Sequence, residues 1–330
     1  MNTPDLSAAH KPDYSSVVVA TDFTPCSGAA ITEAARLAAA AKAPLHIVHV
    51  IDTLVMLDLE AAISDLQSQI RLGLVAEAKT AWSEFSKSVL AAAGRPIEVV
   101  VNNRVVGILH KARQDKADLL VLGAFGTRSP DIGMGTVATG CVRQSPCDVL
   151  IVRDTKPGGS PFRRVVAAVD FSPTSMLALN RAARIAARDA AELHILHVFQ
   201  PPWHQLQYRK PSPVTTEDQQ WAYRDNLKQR LAAWAKPVSD RASDVRTTIV
   251  VHDDSGHRSG IVEYAVKSGA DLVVLGTRGR TNLRDVLLGS TAEKTLRDSK
   301  CSVLAVKPDS EIEATAADES THAVQLRGPA

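Results

Sequence analysis

The chain contains the same segments twice. SVVVATDFTP (Ser16–Pro25) returns as RVVAAVDFSP (Arg164–Pro173), and LHIVHVID (Leu45–Asp52) returns as LHILHVFQ (Leu193–Gln200), both 148 positions later. ADLLVLGAFGTR (Ala117–Arg128) pairs with ADLVVLGTRGR (Ala270–Arg280), and PCDVLIVR (Pro146–Arg153) with KCSVLAVK (Lys300–Lys307). Order and period are both kept, which is the mark of a tandem duplication. The 330 residues are too many for one ordinary domain and comfortable for two. DTKPGGSP, at 154–161, has the Pro, Gly and Ser of a linker.

Within each half the pattern alternates. Short Val/Ile/Leu runs are too apolar for a sheet with one wet face, and Ala-rich segments of helical spacing lie between them. The runs predict strands near 16–22, 45–51, 97–101, 118–123 and 148–152. In the second half they predict strands near 164–170, 193–199, 247–252, 271–276 and 302–307. Ile31–Lys42 and Met176–Ala190 read as helices. Pro25 and Pro173 stand where a helix can begin, after Thr24 and Ser172 as caps. Strand and helix in alternation give a parallel sheet covered on both faces. The expected organisation is a domain over 14–153, a linker over 154–162, a second domain over 163–307, and a disordered acidic tail over 308–330.

Composition narrows the function. Aromatics are 4%, so Val, Leu, Ile and Ala must build the core. The net charge is +2 with Lys and Arg scattered, which argues against nucleic acid as the main partner. The N-terminus lacks the apolar core of a signal peptide, and no apolar run approaches a membrane span. A cytoplasmic protein is expected. Cys26, Cys141, Cys147 and Cys301 form no CxxC pair and read as free buried thiols.

In parallel α/β sheets ligands bind beyond the carboxyl ends of the strands. An aspartate follows the first strand of each half, Asp22 and Asp170, and a glycine loop follows the fourth. A carboxylate accepts hydrogen bonds from sugar hydroxyls. Glycines let backbone N–H groups approach phosphates, and a helix N-terminus adds a favourable field. In the second half Gly276, Gly279 and Gly289 supply the close approach, Ser290 and Thr291 open a helix, and Arg278, Arg280 and Arg284 add positive charge. The same residues are also what a plain turn and an N-cap need, and Asp170 could serve only to cap the next helix. No P-loop, GxGxxG after the first strand, GxSxG or HExxH occurs. HDDSGH (His252–His257) reads as a polar loop rather than a metal site, and His49 and His197 as core or rim histidines. No catalytic residue and no metal ligand is indicated.

These residues resemble the universal stress protein family, and specifically its tandem two-domain members. The family's signature G-x2-G-x9-G-[S/T] is met by Gly276, Gly279, Gly289 and Ser290, and the first-strand Asp and the His-Val pair of the second strand also match. The resemblance covers about residues 14–307. It implies two tandem five-stranded parallel-sheet α/β domains with strand order 3-2-1-4-5, the adenine nucleotide alpha hydrolase-like fold. It implies ATP, or another adenine nucleotide, held by Asp170 at the ribose, Val198 at the adenine, and Gly276, Gly279, Gly289, Ser290 and Thr291 around the phosphates. Mg2+ would bridge the phosphates without a protein cage. In the first half the loop is one residue shorter, Gly123-x2-Gly126-x8-Gly135-Thr136, and carries Pro130 and Asp131. Asp22, Val50, Gly123, Gly126, Gly135 and Thr136 are therefore expected to form a weaker site.

The leading expectation is an ATP-binding, non-catalytic regulator of the stress response acting on a protein partner. The alternatives are a slow ATPase or adenylating enzyme of a related fold, and a nucleotide-free scaffold. Family members also pair through the fifth strand, so the resemblance implies an intramolecular pseudo-dimer of the two domains and allows a homodimer.

Overall fold

The structure, a computed structural model, describes residues 14–62, 67–126, 133–153, 159–201, 203, 216–253, 257–279 and 288–308. The chain divides into two compact units, Met1–Ser160 and Pro161–Ala330. The first runs β1 (Val17–Ala20), α1 (Pro25–Ala41), β2 (Leu45–Asp52), α2 (Thr53–Ala62), α3 (Gln67–Ser88), β3 (Glu98–Asn102), α4 (Arg104–Gln114), β4 (Leu119–Gly123), α5 (Thr136–Gln144) and β5 (Asp148–Val152). The second runs β6 (Arg164–Ala168), α6 (Pro173–Asp189), β7 (Glu192–Phe199), α7 (Glu217–Arg241), β8 (Thr247–Asp253), α8 (His257–Ser268), β9 (Leu272–Gly276), α9 (Ser290–Asp298) and β10 (Ser302–Val306).

Each unit is an α/β domain on a parallel sheet. In the first the order is β3-β2-β1-β4-β5, and in the second β8-β7-β6-β9-β10, the same 3-2-1-4-5 order in both. The registers repeat as well, with Val17 opposite Leu45 and Val165 opposite Leu193. The central strands are apolar because both faces are covered: Val17, Val18 and Val19 are fully buried, as are Val165, Val166 and Ala167. At the amino ends an aspartate closes each sheet. Asp118 accepts the backbone N–H of Ser15 at 2.7 Å and of Ser16 at 3.1 Å, and Asp271 accepts those of Arg163 at 2.8 Å and Arg164 at 2.9 Å. These bonds satisfy strand donors that have no ladder partner.

Helices α1 and α6 both start where the sequence leads one to expect. α1 begins at Pro25 and α6 at Pro173, each at the first helical position behind the caps Thr24 and Ser172. β1 and β6 stop at Ala20 and Ala168, short of the predicted Asp22 and Asp170, because the backbone turns at the following phenylalanine. The helices after β2 and β7 were not individually predicted. Among the four free cysteines, Cys26, Cys141 and Cys147 are buried, whereas Cys301 is only half-buried. Burial alone pushes the Cys141 thiol up to about 12. No helix among the described residues is long and apolar enough to cross a membrane. Residues 154–158 of the linker, 254–256 of the HDDSGH stretch and the tail from 309 lie outside the described residues.

Candidate functional site

In the second unit the strand order reverses between β6 and β9, so the residues beyond their carboxyl ends face one crevice. Beyond β6 the chain passes Val169 and Asp170, turns at Phe171 with φ 65°, and enters α6 through Ser172. Ser172 is the cap: its hydroxyl accepts the Ser175 N–H at 3.1 Å. Asp170 braces the turn rather than capping the helix, accepting the Ser172 N–H at 3.0 Å with Oδ1. The other carboxylate oxygen lies against Gly279. A Cβ on Gly279 would stand 2.7 Å from Asp170 Oδ2, so any larger residue would displace the carboxylate. Gly276 is constrained in the same way, since a Cβ there would come within 2.9 Å of Thr174 Cγ2.

Thr277 ties the two ends of the loop together. Its side chain is almost wholly buried, at 1% exposure. Its N–H and hydroxyl both donate to Val306 O, at 2.9 and 3.1 Å, and its carbonyl accepts the Gly289 N–H at 2.8 Å. Gly289 thereby sits beside the Gly276–Gly279 turn and forms the N-cap of α9 with no side-chain cap bond. Ser290 and Thr291 are in the first turn, whose N–H groups have no intrahelical acceptor. One location thus gathers a braced carboxylate, a close-packed glycine turn and an uncapped helix N-terminus. Val198 lies on β7 opposite His252 with its side chain buried. His197 is held by a 2.8 Å bond from Nδ1 to Val169 O, and its ring meets the Phe171 edge at 4.7 Å. Trp234 packs the same phenyl ring at 5.6 Å.

The first unit reproduces most of this. Asp22 Oδ1 accepts both the N–H and the hydroxyl of Thr24, at 3.2 and 2.6 Å. A Cβ on Gly126 would stand 2.9 Å from Asp22 Oδ2, and one on Gly123 would stand 3.1 Å from Cys26. The Ala124 N–H reaches Val152 O at 2.8 Å, and the Gly135 N–H reaches Ala124 O at 2.9 Å. Gly135 is an N-cap without a side-chain bond, with Thr136 opening α5. Phe23, at φ 63°, stacks on His49 at 4.4 Å. Burial lowers the His49 pKa, which favours a neutral ring whose Nδ1 donates to Thr21 O at 2.8 Å. Val50 packs beneath α4, where a Cβ on Gly107 would meet it at 2.9 Å.

Two positions differ in kind. Ala124 stands where the second unit has Thr277, and Phe125 where it has Arg278. The Arg153 guanidinium lies 5.2 Å from the centre of the Phe125 ring. Residues 127–132, with Pro130 and Asp131, and 280–287, with Arg280 and Arg284, lie outside the described residues. The left-handed phenylalanines and Thr277 were not singled out from the sequence. The repeated Asp-Phe pair was the available signal for the former.

Chemically the site suits binding. The Cys26 thiol near the first glycine turn is pushed up by burial, away from the thiolate a nucleophile needs. No group of three His, Cys, Asp or Glu that could hold a metal ion is found among the described residues.

The Universal stress protein family matches the chain over residues 13–153 and again over 161–307. A universal stress protein of Mycobacterium tuberculosis H37Rv is 27% identical over 304 residues, covering 88% of this chain and 96% of that protein. A universal stress protein A homologue of Coxiella burnetii is 32% identical over 153 residues, or 44% of this chain and 96% of its own length. Among solved structures, a universal stress protein from Archaeoglobus fulgidus shares the fold, with a TM-score of 0.61 at 18% identity over 92% of this chain and 99% of that one.

Proposed function

The chain belongs to the universal stress protein family, and from that premise we propose that it is a non-catalytic, ATP-binding regulator of the stress response whose principal site is in the second unit. The observation that carries this reading is the closeness of Gly279 to Asp170 Oδ2, with the uncapped start of α9 drawn alongside by Thr277. Asp170 meets the ribose hydroxyls with the carboxylate oxygen facing the crevice. The backbone of Val198 meets the adenine. Gly276, Gly279 and Gly289 let main-chain N–H groups approach the phosphates, and Ser290 and Thr291 add a hydroxyl each at the helix start. Mg2+ would bridge phosphate oxygens, since the protein supplies no cage of its own. In the first unit Asp22, Val50, Gly123, Gly126, Gly135 and Thr136 form a second site that holds ATP more weakly, behind a loop one residue shorter.

Binding is favoured over turnover because in this reading the carboxylate beside each glycine turn is taken up by the ribose, and the Cys26 thiol is kept protonated by burial. Nucleotide occupancy would then act by changing which protein partner the chain prefers. A homodimer, the partner and a cytoplasmic location belong to the same proposal.

Calorimetric titration of the intact chain with Mg-ATP, beside Gly289→Val, tests it. Gly289 has φ −66° and ψ 144°, angles that valine adopts, and the new Cβ would stand 3.3 Å from Thr277 O while crowding the phosphate approach. One tight site is expected, weakened at least about tenfold in the variant, the cost of roughly one charge-assisted hydrogen bond. Two equally tight sites in the wild type, or unchanged affinity in the variant, would overturn the reading. Phosphate or AMP release faster than about one per second would favour an enzyme instead.

A further inference from the structure

The two units differ at the phosphate end of the site and agree at the sugar end. The sugar end is intact in the first unit: Asp22 is braced by Thr24 at 3.2 and 2.6 Å, and Asp170 by the Ser172 N–H at 3.0 Å. Gly126 faces Asp22 as Gly279 faces Asp170. The histidine bond to the strand-end carbonyl is 2.8 Å in both. At the phosphate end the charges diverge. In sequence, the loop from Gly276 to Ser290 carries three arginines and one aspartate, a net of +2, and the loop from Gly123 to Thr136 carries one arginine and one aspartate, a net of zero. Within the turn itself Arg278 is replaced by Phe125, which offers neither charge nor donor. Among the described residues, Arg153 just beyond β5 places a cation beside this turn, its guanidinium over the Phe125 ring. The Cys26 thiol donates to Val152 O at 3.3 Å and lies against Gly123, so the end of β5 stands close to the glycine turn.

We propose that the first unit is a low-charge site, taking an adenine nucleoside with at most one phosphate in preference to ATP, and that Phe125 with Arg153 sets this preference; the proposal rests on the reading of the paired crevices as nucleotide sites. A triphosphate brings several negative charges into a turn with little positive field, and each unmatched phosphate loses charge-assisted bonds that the second unit can make. A nucleoside or monophosphate needs the Asp22 end and at most one cation, and the first unit keeps both. The chain would then hold a polyphosphate and a low-phosphate adenylate at once, each in its own unit.

Equilibrium dialysis of the intact chain with labelled AMP, with and without saturating Mg-ATP, reads the two sites apart. One AMP per chain is expected to stay bound in the presence of ATP. Phe125→Arg, which copies the turn of the second unit, should raise ATP stoichiometry from one to two and cut the preference of that site for AMP by about tenfold or more. Phe125→Ala removes the ring without adding charge and should leave ATP at one per chain. ATP displacing all bound AMP, ATP filling two equal sites in the wild type, or a folded Phe125→Arg protein still taking one ATP would each overturn the proposal. Should Phe125→Arg fail to fold, retention of AMP under ATP by the wild type and Phe125→Ala decides the matter. AMP bound once with ATP bound nowhere would support this preference and overturn the ATP site of the second unit, and a chain binding neither nucleotide would overturn both.

Discussion

Phe171 carries φ 65° directly after the carboxylate it supports, and Phe23 carries φ 63° in the same place of the first unit. A left-handed backbone costs an L-residue with a side chain on the order of 1 kcal/mol, and the cost recurs in both copies. The ring compensates: Phe171 is packed by His197 and Trp234, with the Arg230 guanidinium 5.8 Å above it. Strain and packing together hold Asp170 against Gly279. Substitution separates the two effects. Phe171→Ala keeps the strain and loses the ring, while Phe171→Gly loses the ring and relieves the strain. Glycine is therefore expected to be the more stable of the two by about 1 kcal/mol in urea denaturation. Both should weaken ATP at the second unit, because the turn that aims the carboxylate loses its support. Alanine more stable than glycine would show that the left-handed turn is not retained in solution.

At the scale of elements, the caps join helix to site. Thr24 closes a capping box on α1, its hydroxyl accepting the Ser27 N–H at 3.3 Å while also donating to Asp22 Oδ1 at 2.6 Å. Thr24→Ala removes both bonds and should cost about 1 kcal/mol, read as a fall of about 2–4 °C in the melting of a unit this size. Ser172→Ala should cost the same but leave the bond from the Ser172 N–H to Asp170, since a backbone donor makes it. The Thr24 variant is thus expected to lose nucleotide affinity in its own unit and the Ser172 variant to keep it; equal losses would mean that the cap hydroxyl does not orient Asp22. The strands were legible to within a residue or two because unbroken Val/Ile/Leu runs have few other homes. Helices α2, α3 and α7 were not. α2 exposes Leu54 at 67% and Leu57 at 50%, so its apolar residues do not trace one buried stripe. α7 buries Leu227, Leu231, Ala235 and Val238, a helical stripe diluted by charged residues and carried through Pro237, which sequence rules treat as a breaker. At the site, duplication drew attention to the aspartates and glycines. The bond pattern of Thr277 and the backbone of Phe171 gave no such sign, since neither residue type announces the role.

Across the whole molecule, pH sensitivity comes from groups in both units. His49 in the first unit and His194 in the second both have lowered pKa values, burial being the main cause. His194 is ringed by Tyr264, whose hydroxyl lies 2.8 Å from its Nδ1, and by Glu192, Arg164 and Arg246; Asp22 and Arg104 act on His49. A histidine with a depressed folded pKa binds its proton more readily when unfolded. Its contribution is complete above the unfolded value near 6.5 and is lost as pH falls from there through the folded value. Asp253, held low by Arg224, and Glu192, held low by Arg164, are lost only further into acid, through the carboxylate range. Two limbs are therefore expected, a histidine limb below about pH 7 and a carboxylate limb below about pH 4. Each histidine steepens its limb by at most about 1.4 kcal/mol per pH unit. Urea denaturation between pH 7.5 and 5.5 should show stability falling in the wild type and a flatter profile in the His49→Gln, His194→Gln double variant. A profile equally steep in both proteins would place the acid sensitivity elsewhere, and a wild-type profile that rises toward pH 5.5 would reverse the sign of the argument.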